Sequence, residues 1–186
     1  MQYIKGMQFY QNDKKTAITL GKFDGLHRGH ETLIERVIEH QKNDGVDSVV
    51  FAFDMAPLYE KIKKKKESLI TNEERAGRLF GRVDYLVECP FVEAVSKIEA
   101  ETFIKEILVK QFHAEYIVVG TDFHFGYQKK GDYHMLQQYS GEYGYEVEVI
   151  EKKCYEDREI SSTYIKEEVK KGNMKLVTQL LGYPYT

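Results

Sequence analysis

Residues 16–30 read TAITLGKFDGLHRGH, and the residue pattern changes twice along this segment. Thr16–Leu20 is a short run of β-branched and apolar residues, which is typical of a buried strand. Glycines then recur every four residues, at Gly21, Gly25 and Gly29. The following segment, His30–His40, places its apolar residues on one helical face. The stretch therefore predicts a strand, a glycine-rich loop and a helix in direct succession.

The alternation of strand and helix patterns continues towards the C-terminus. Together with Thr16–Leu20, the predicted strands are Ser48–Phe53, Tyr85–Val87, Tyr116–Val119 and Glu146–Ile150, and with His30–His40 the predicted helices are Asn72–Phe80, Ala100–Lys110 and Tyr133–Tyr143. This order predicts an α/β fold, a Rossmann-like, doubly wound parallel sheet of about five strands with helices on both faces. We expect a single domain over residues 1–186, with ligands at the C-terminal ends of the strands where the strand order reverses.

Composition and charge exclude several classes of function. The 186 residues are 42% hydrophobic, and 27 Lys and Arg against 30 Asp and Glu leave a net charge of −3. The chain has no excess of basic residues, so its charge does not indicate nucleic acid or a membrane surface as a partner. The apolar run 49–53 is far shorter than the roughly 18 residues of a membrane helix. With no signal-peptide pattern and two distant cysteines, we expect a cytoplasmic protein; nothing in the pattern indicates an oligomeric state.

The glycine loop has the composition of an anion site. Gly21, Gly25 and Gly29 let a ligand approach the backbone closely. The helix that follows presents unpaired N–H groups and the positive end of its dipole, and His27 and His30 add side-chain donors there. The loop is therefore interpreted as a phosphate cradle. The alternative is a pair of surface histidines that cap a helix.

A second group of donors is predicted near residue 161. Ser161, Ser162 and Thr163 precede the apolar positions Ile165 and Val169, which places the three hydroxyls at a helix N-terminus. A β- or γ-phosphate could bind there. A plain N-cap needs only one hydroxyl and is the equally weighted alternative.

The motif Gly-x-Phe-Asp-Gly-x-His-x-Gly-His, at residues 21–30, resembles the HxGH signature of a nucleotidyltransferase superfamily. Its Phe-Asp-Gly variant is similar to the adenylyltransferase module of bacterial FAD synthetase. The segments 118–126 with Gly131, 160–163 and 181–185 resemble further blocks of that family, the last of which reads Leu-Gly-Arg-Pro-Tyr in the family.

The resemblance implies an FMN adenylyltransferase that transfers AMP from ATP to FMN, with Mg²⁺ held mainly by the ATP phosphates. Fused members continue into a riboflavin kinase domain after the Leu-Gly-Arg-Pro-Tyr segment, so no kinase domain is expected here. The implied catalytic residues are His27, His30 and Lys166; the implied nucleotide-binding residues are Gly21, Phe23, Asp24, Gly25, Gly29, Gly120, Ser161, Ser162 and Thr163; and the implied flavin-binding residues are Asp122, Phe125 and Pro57.

The sequence departs from the family pattern at Lys166 and in the loop that contains Met55 and Ala56. Lys166 stands where the family has arginine, which keeps the charge and loses the two-pronged guanidinium. Met55 and Ala56 stand where the family has proline and histidine. Phe125 has core packing as its alternative role. A related nucleotidyltransferase with another acceptor, and a nucleotide- or flavin-binding module without turnover, therefore stay open as alternatives.

Overall fold

A computed structural model describes residues 1–65 and 67–185. Of the predicted domain, Lys66 and Thr186 therefore lie outside the described residues. The main sheet has six strands, and every neighbouring pair in it is parallel. In chain order the strands are β1 (Gln2–Lys5), β2 (Thr16–Gly21), β3 (Asp47–Asp54), β4 (Tyr85–Pro90), β5 (Ala114–Gly120), the short hairpin pair β6 (His124–Phe125) and β7 (Gly131–Asp132), β8 (Glu146–Ile150), and the short hairpin pair β9 (Cys154–Tyr155) and β10 (Arg158–Glu159).

The predicted parallel α/β architecture is confirmed, with one strand more than expected. The five predicted segments appear as β2, β3, β4, β5 and β8, in the sheet order β1-β4-β3-β2-β5-β8. The additional strand, β1, lies at one edge and pairs with β4. Its four residues, Gln-Tyr-Ile-Lys, do not form the apolar run that marks a buried strand. In the structure they are exposed or half-buried.

The helices are α1 (Arg28–Asp44), α2 (Ala56–Lys61), α3 (Asn72–Leu79), α4 (Glu93–Ser96), α5 (Ala100–Thr102), α6 (Tyr133–Tyr143), α7 (Ser162–Lys170) and α8 (Met174–Leu181). Short 3₁₀ turns lie at Met7–Phe9 and Tyr127–Lys129. The beginning of α3 is fixed by a capping box. The Glu74 amide donates to Thr71 Oγ1 at 3.1 Å, and the Thr71 amide donates to Glu74 Oε2 at 2.6 Å.

The predicted helix Ala100–Lys110 is confirmed, and most of it has π-helical hydrogen bonding. After α5, the segment Phe103–Gln111 forms a π-helix, and the amide of Phe112 donates to the carbonyl of Ile107. The wider turn keeps Phe103, Ile107 and Phe112 on the buried side of the segment. The apolar pattern predicts a helix there and does not distinguish between the two helix types.

Helices cover both faces of the sheet. On one face α1 and α3 pack against residues such as Val50 and Val118. On the other face the π-helix and α6 pack around Phe51 and Ile117. The C-terminal helices α7 and α8 form a separate apolar cluster with Leu69.

The strand order reverses between β2 and β5. From β2 the chain continues through β3 to β4 on one side, and β5 and β8 lie on the other side. Thr19 pairs with Val118 across this junction. Gly21 and Gly120, two residues further along each strand, therefore end their strands side by side. Ligands bind at such a reversal in doubly wound sheets, so the fold selects this edge as the candidate site.

Candidate functional site

Two helix N-termini meet beside the glycine loop. His27 is the N-cap of α1, and Ser161 is the N-cap of α7, where its Oγ accepts from the Tyr164 amide at 3.2 Å. Gly29, in the first turn of α1, lies close to both. A Cβ on Gly29 would lie 3.2 Å from His27 Nδ1 and 3.5 Å from the Ile160 carbonyl oxygen. The two positive dipole ends therefore face one region.

The two motif histidines form a stacked pair. Their ring centroids lie 3.6 Å apart, with 19° between the ring planes. Each Nδ1 is buried and has no hydrogen-bond partner among the described residues. Burial lowers the pKa of His27 to about 4, against the opposing effect of Asp24 and Asp122. Burial also lowers the pKa of His30, and the charges of His27 and Arg75 act in the same direction. Both rings are therefore neutral at pH 7, each with one N–H donor.

A buried ion pair contacts the loop through a backbone carbonyl. Arg75 and Glu88 are each 4% exposed, and their Nη2 and Oε2 atoms lie 3.0 Å apart. Glu88 also accepts from the Tyr3 hydroxyl at 2.7 Å and from Asn72 Nδ2 at 2.9 Å. Arg75 Nη1 donates to the Lys22 carbonyl at 3.3 Å, within the loop. Sequence reasoning missed this group, because no spacing pattern connects these residues before the chain folds.

Asp24 connects the loop to α7. Its Oδ1 accepts from the Leu69 amide at 2.7 Å, and its Oδ2 pairs with Lys166 Nζ at 2.5 Å. The Asp24 carbonyl accepts from Ser162 Oγ at 2.8 Å. These contacts bring Lys166 to the loop, and they engage both carboxylate oxygens of Asp24 with protein donors.

Positive charge accumulates around this loop. Desolvation lowers the pKa of the Lys22 ammonium, and the nearby charges of Lys129 and Lys166 lower it further, while Asp24 opposes the shift. Neither Lys22 nor Lys129 was predicted as a site residue. The position of Lys22 inside the motif was the available signal, whereas nothing in the sequence places Lys129 beside it. A chain with a net charge of −3 thus presents a local positive region, as an anion site requires.

The end of β5 contributes an acidic residue to the same edge. A Cβ on Gly120 would lie 3.3 Å from Asp122 Oδ1. The exposed Asp122 side chain pairs through Oδ2 with Lys152 Nζ at 3.1 Å, and Lys152 also contacts Glu159 Oε2 at 2.8 Å. Asp122 is therefore tied to the β9–β10 hairpin, a connection that the sequence did not predict.

Two aromatic residues of the predicted site lie in the core. Phe23 is fully buried, and its ring centroid lies 5.1 Å from that of His30. Phe125 is 4% exposed and packs against Phe103 and Phe123, each at 5.6 Å between ring centroids. Their side chains can act on the site by supporting the residues that surround it.

No group of three or more His, Cys, Asp or Glu side chains in residues 1–65 and 67–185 could hold a metal ion. Burial raises the pKa of the Cys89 thiol to about 11, while Cys154 is exposed, and both cysteines are free. Among the described helices, none combines the length and apolar character needed to cross a bilayer.

Comparison with known proteins identifies the family. The FAD synthetase family matches residues 9–164, which is most of the chain. The chain belongs to the FAD synthetase family. The bifunctional riboflavin kinase/FMN adenylyltransferase of Escherichia coli (strain K12) is 31% identical over 171 residues, covering 91% of this chain and 55% of that protein. The enzyme of the same name from Haemophilus influenzae is 30% identical, covering 100% of this chain and 61% of that protein.

The chain thus spans a little more than half the length of these relatives. A crystal structure described as a macrolide-efflux protein from Streptococcus pneumoniae superposes with a TM-score of 0.85 at 26% identity. The match covers 100% of this chain and 63% of that one.

In this FAD synthetase family member, most of the predicted site residues lie at one edge of the sheet. Pro57 follows the end of β3, the strand that pairs with β2 at this edge, and is the second residue of α2, where Asp54 Oδ1 accepts from the Ala56 amide at 3.0 Å. The residues gathered around the β2–β5 junction and the N-terminus of α7 are Gly21, Asp24, Gly25, His27, Gly29, His30, Gly120, Asp122, Ser161, Ser162, Thr163 and Lys166.

Proposed function

We propose that this chain is an FMN adenylyltransferase, which joins AMP from ATP to FMN and releases pyrophosphate. The observation that carries the proposal is the stacked, neutral pair His27 and His30 where two helix N-termini meet. That arrangement suits a polyphosphate, and membership of the FAD synthetase family supports the choice of reaction.

The proposed reaction needs no protein nucleophile. A phosphate oxygen of FMN attacks the α-phosphorus of ATP and forms a new P–O bond. The bond between the α-phosphorus and the bridging oxygen breaks, and pyrophosphate leaves with the electron pair. The FMN phosphate is already an anion at neutral pH, so no general base is required. Catalysis consists of positioning two polyanions in line and stabilising the charge that develops.

The residues of the site have distinct proposed roles. His27 and His30 donate ring N–H groups to phosphate oxygens, and Lys166 adds a cation from α7. The backbone at Gly21, Gly25, Gly29 and Gly120 admits the nucleotide closely, the hydroxyls of Ser161, Ser162 and Thr163 surround its phosphates, and Phe23 and Asp24 hold the loop in shape.

The flavin side of the site is proposed at the ends of β3 and β5. Asp122 contacts the flavin nucleotide, Phe125 packs behind the loop that carries Asp122, and Pro57 borders the acceptor from α2. Because Met55 and Ala56 replace the family's proline and histidine at this point, a related acceptor is the second candidate.

The metal ion, the cellular location and the partners are proposed on separate grounds. No described cluster offers a ready metal site, and lysines already pair with Asp24 and Asp122. We therefore assign Mg²⁺ to the phosphates of ATP. Two free cysteines suit the cytoplasm, and neither nucleic acid nor a membrane is a proposed partner.

An acceptor panel tests the proposal. The purified chain is incubated with ATP, Mg²⁺ and either FMN, riboflavin or another phosphorylated acceptor, and nucleotide products and pyrophosphate are separated by chromatography. We expect FAD and equimolar pyrophosphate from FMN alone. Product from a different acceptor supports the second candidate, and ATP binding without any product supports a module that lacks turnover.

A further inference from the structure

The segment after α8 reaches back to the glycine loop. The Tyr183 hydroxyl donates to the Gly25 carbonyl at 2.5 Å. The guanidinium of Arg78, on α3, lies 3.4 Å from the centroid of the Tyr183 ring. A Cβ on Gly182 would lie 3.4 Å from Arg28 Cγ, so this segment also contacts the first residue of α1. Three separate parts of the chain therefore meet at one turn of the loop.

The loop adopts a conformation that depends on such support. Phe23 has φ +48° and Leu26 has φ +38°, a backbone conformation that residues other than glycine rarely adopt. Gly25 has φ +87°, and a Cβ there would lie 2.7 Å from Leu69 Cδ1. Backbone in these regions persists only where its surroundings hold it firmly.

Tyr183 holds a specific peptide group. A trans peptide is planar, so its carbonyl and the following N–H point in opposite directions. Fixing the Gly25 carbonyl therefore fixes the direction of the Leu26 N–H as well. Leu26 directly precedes His27, the N-cap of α1, so this peptide sets how the chain enters the two-histidine site.

We propose that Tyr183 is a positioning residue for the phosphate-binding loop: its hydroxyl, with the ring held by Arg78, orients the Gly25–Leu26 peptide so that His27 and the start of α1 meet the polyphosphate. This inference deepens the proposed function and rests on ATP being the ligand of the loop. The role belongs to this chain, because the family pattern has arginine at position 183.

The variant Tyr183→Phe removes the hydroxyl and keeps the ring over Arg78. Tyr155→Phe is the matched control, since the Tyr155 hydroxyl donates to Gln179 Oε1 at 3.1 Å within the same C-terminal cluster, away from the loop. Two readouts are taken for each protein: the Kd for ATP by calorimetry, and hydrogen exchange of the peptide covering residues 21–31 in the free chain.

We expect Tyr183→Phe to weaken ATP binding by about threefold to tenfold, the range for one hydrogen bond, and to speed exchange in residues 21–31. KM for ATP should rise more than kcat falls. Tyr155→Phe should leave the ATP affinity and the exchange of this segment unchanged. Arg78→Ala should shift both readouts in the same direction as Tyr183→Phe, by a smaller factor.

Three results would overturn the inference. Unchanged exchange with unchanged affinity would show that the hydroxyl does not hold the loop. Faster exchange with unchanged affinity would leave Tyr183 a purely structural residue. Weaker binding with unchanged exchange would indicate a direct contact with the ligand. If the unaltered chain failed to bind ATP, that result would contradict both the proposed function and the assignment of ATP as the ligand of the loop. The exchange comparison would still show whether the Tyr183 hydroxyl holds the loop.

Discussion

The rings of His27 and His30 stack 3.6 Å apart at their centroids, and neither Nδ1 has a described partner. Two neutral imidazoles can lie this close because neither carries a charge that would repel the other. Under the proposed function, phosphate oxygens would accept hydrogen bonds from the ring N–H groups of this pair. The histidines should therefore influence the stability of the free chain as well as its chemistry.

The first prediction concerns the pH dependence of folding. The pKa of His27 is about 4 in the folded chain and about 6.5 in the unfolded chain. Above pH 6.5 both states are neutral, and as the pH falls from 6.5 towards 4 only the unfolded state gains the proton. The free energy of unfolding should therefore be about 2 kcal/mol lower at pH 5 than at pH 7.5 through this residue.

Urea denaturation of the unaltered chain and of His27→Asn at both pH values measures that contribution. In His27→Asn, the difference in the free energy of unfolding between the two pH values should be smaller by about 2 kcal/mol. An identical pH dependence in the two proteins would show that the burial of His27 does not favour its neutral form.

The second prediction concerns the buried pair Arg75 and Glu88. Replacing Arg75 with Met leaves Glu88 buried without its ion partner, so the free energy of unfolding should fall by about 3–5 kcal/mol. The double variant Arg75→Met with Glu88→Leu should recover most of this loss. Removing Lys61, which pairs with Glu93 on the surface, should change stability by less than about 1 kcal/mol. Equal effects from the buried and the surface replacement would contradict the role assigned to the pair.

The third prediction concerns Gly29. A Cβ at this position would lie 3.2 Å from His27 Nδ1, so Gly29→Ala should displace the His27 ring. The rate of FAD formation should fall by at least about tenfold, because a small displacement of a group at the site has a large effect on rate. Gly141→Ala is the control, since that glycine lies in α6 with no atom within 4 Å of the added methyl group, and it should slightly stabilise the chain. Normal turnover in Gly29→Ala would show that the position of the His27 ring beside Gly29 is not needed.

The fourth prediction concerns Lys166. Its ammonium pairs with Asp24 at 2.5 Å and lies near Lys22. Lys166→Met should raise KM for ATP by about tenfold, through loss of one charged contact to phosphate. Lys166→Arg should retain affinity or increase it, because guanidinium can bind phosphate through two donors. Steady-state kinetics with ATP as the varied substrate distinguishes these outcomes, and an unchanged KM in Lys166→Met would remove Lys166 from the site.

The sequence predicted the parts of the fold that follow from local pattern. The apolar run Thr16–Leu20 and the glycine spacing after it locate β2, the loop and α1, and the predicted helix Asn72–Phe80 appears as α3. The edge strand β1 was missed because half-exposed residues carry no strong pattern. The π-helical bonding of Phe103–Gln111 was missed because apolar spacing defines a face and not a hydrogen-bond register.

The candidate site divides in the same way. His27, His30 and the serines after Ile160 could be predicted because the motif itself lies in a strand, loop and helix context. The contacts from Arg75 to the Lys22 carbonyl and from Tyr183 to the Gly25 carbonyl could not, because they join positions 53 and 158 residues apart. Only the folded chain brings such partners together.

Pyrophosphate release tests whether the His27–His30 pair serves AMP transfer to FMN. It is measured with ATP, FMN and Mg²⁺ at pH 7.5 for the unaltered chain and for His30→Gln. Circular dichroism and urea denaturation establish that the variant is folded. We expect the unaltered chain to release pyrophosphate only when FMN is present, with equimolar FAD. In the folded His30→Gln variant this release should fall at least about a hundredfold, which is the range for one positioned donor at a developing charge. Turnover in the variant close to that of the unaltered chain would contradict the catalytic role of the histidine pair.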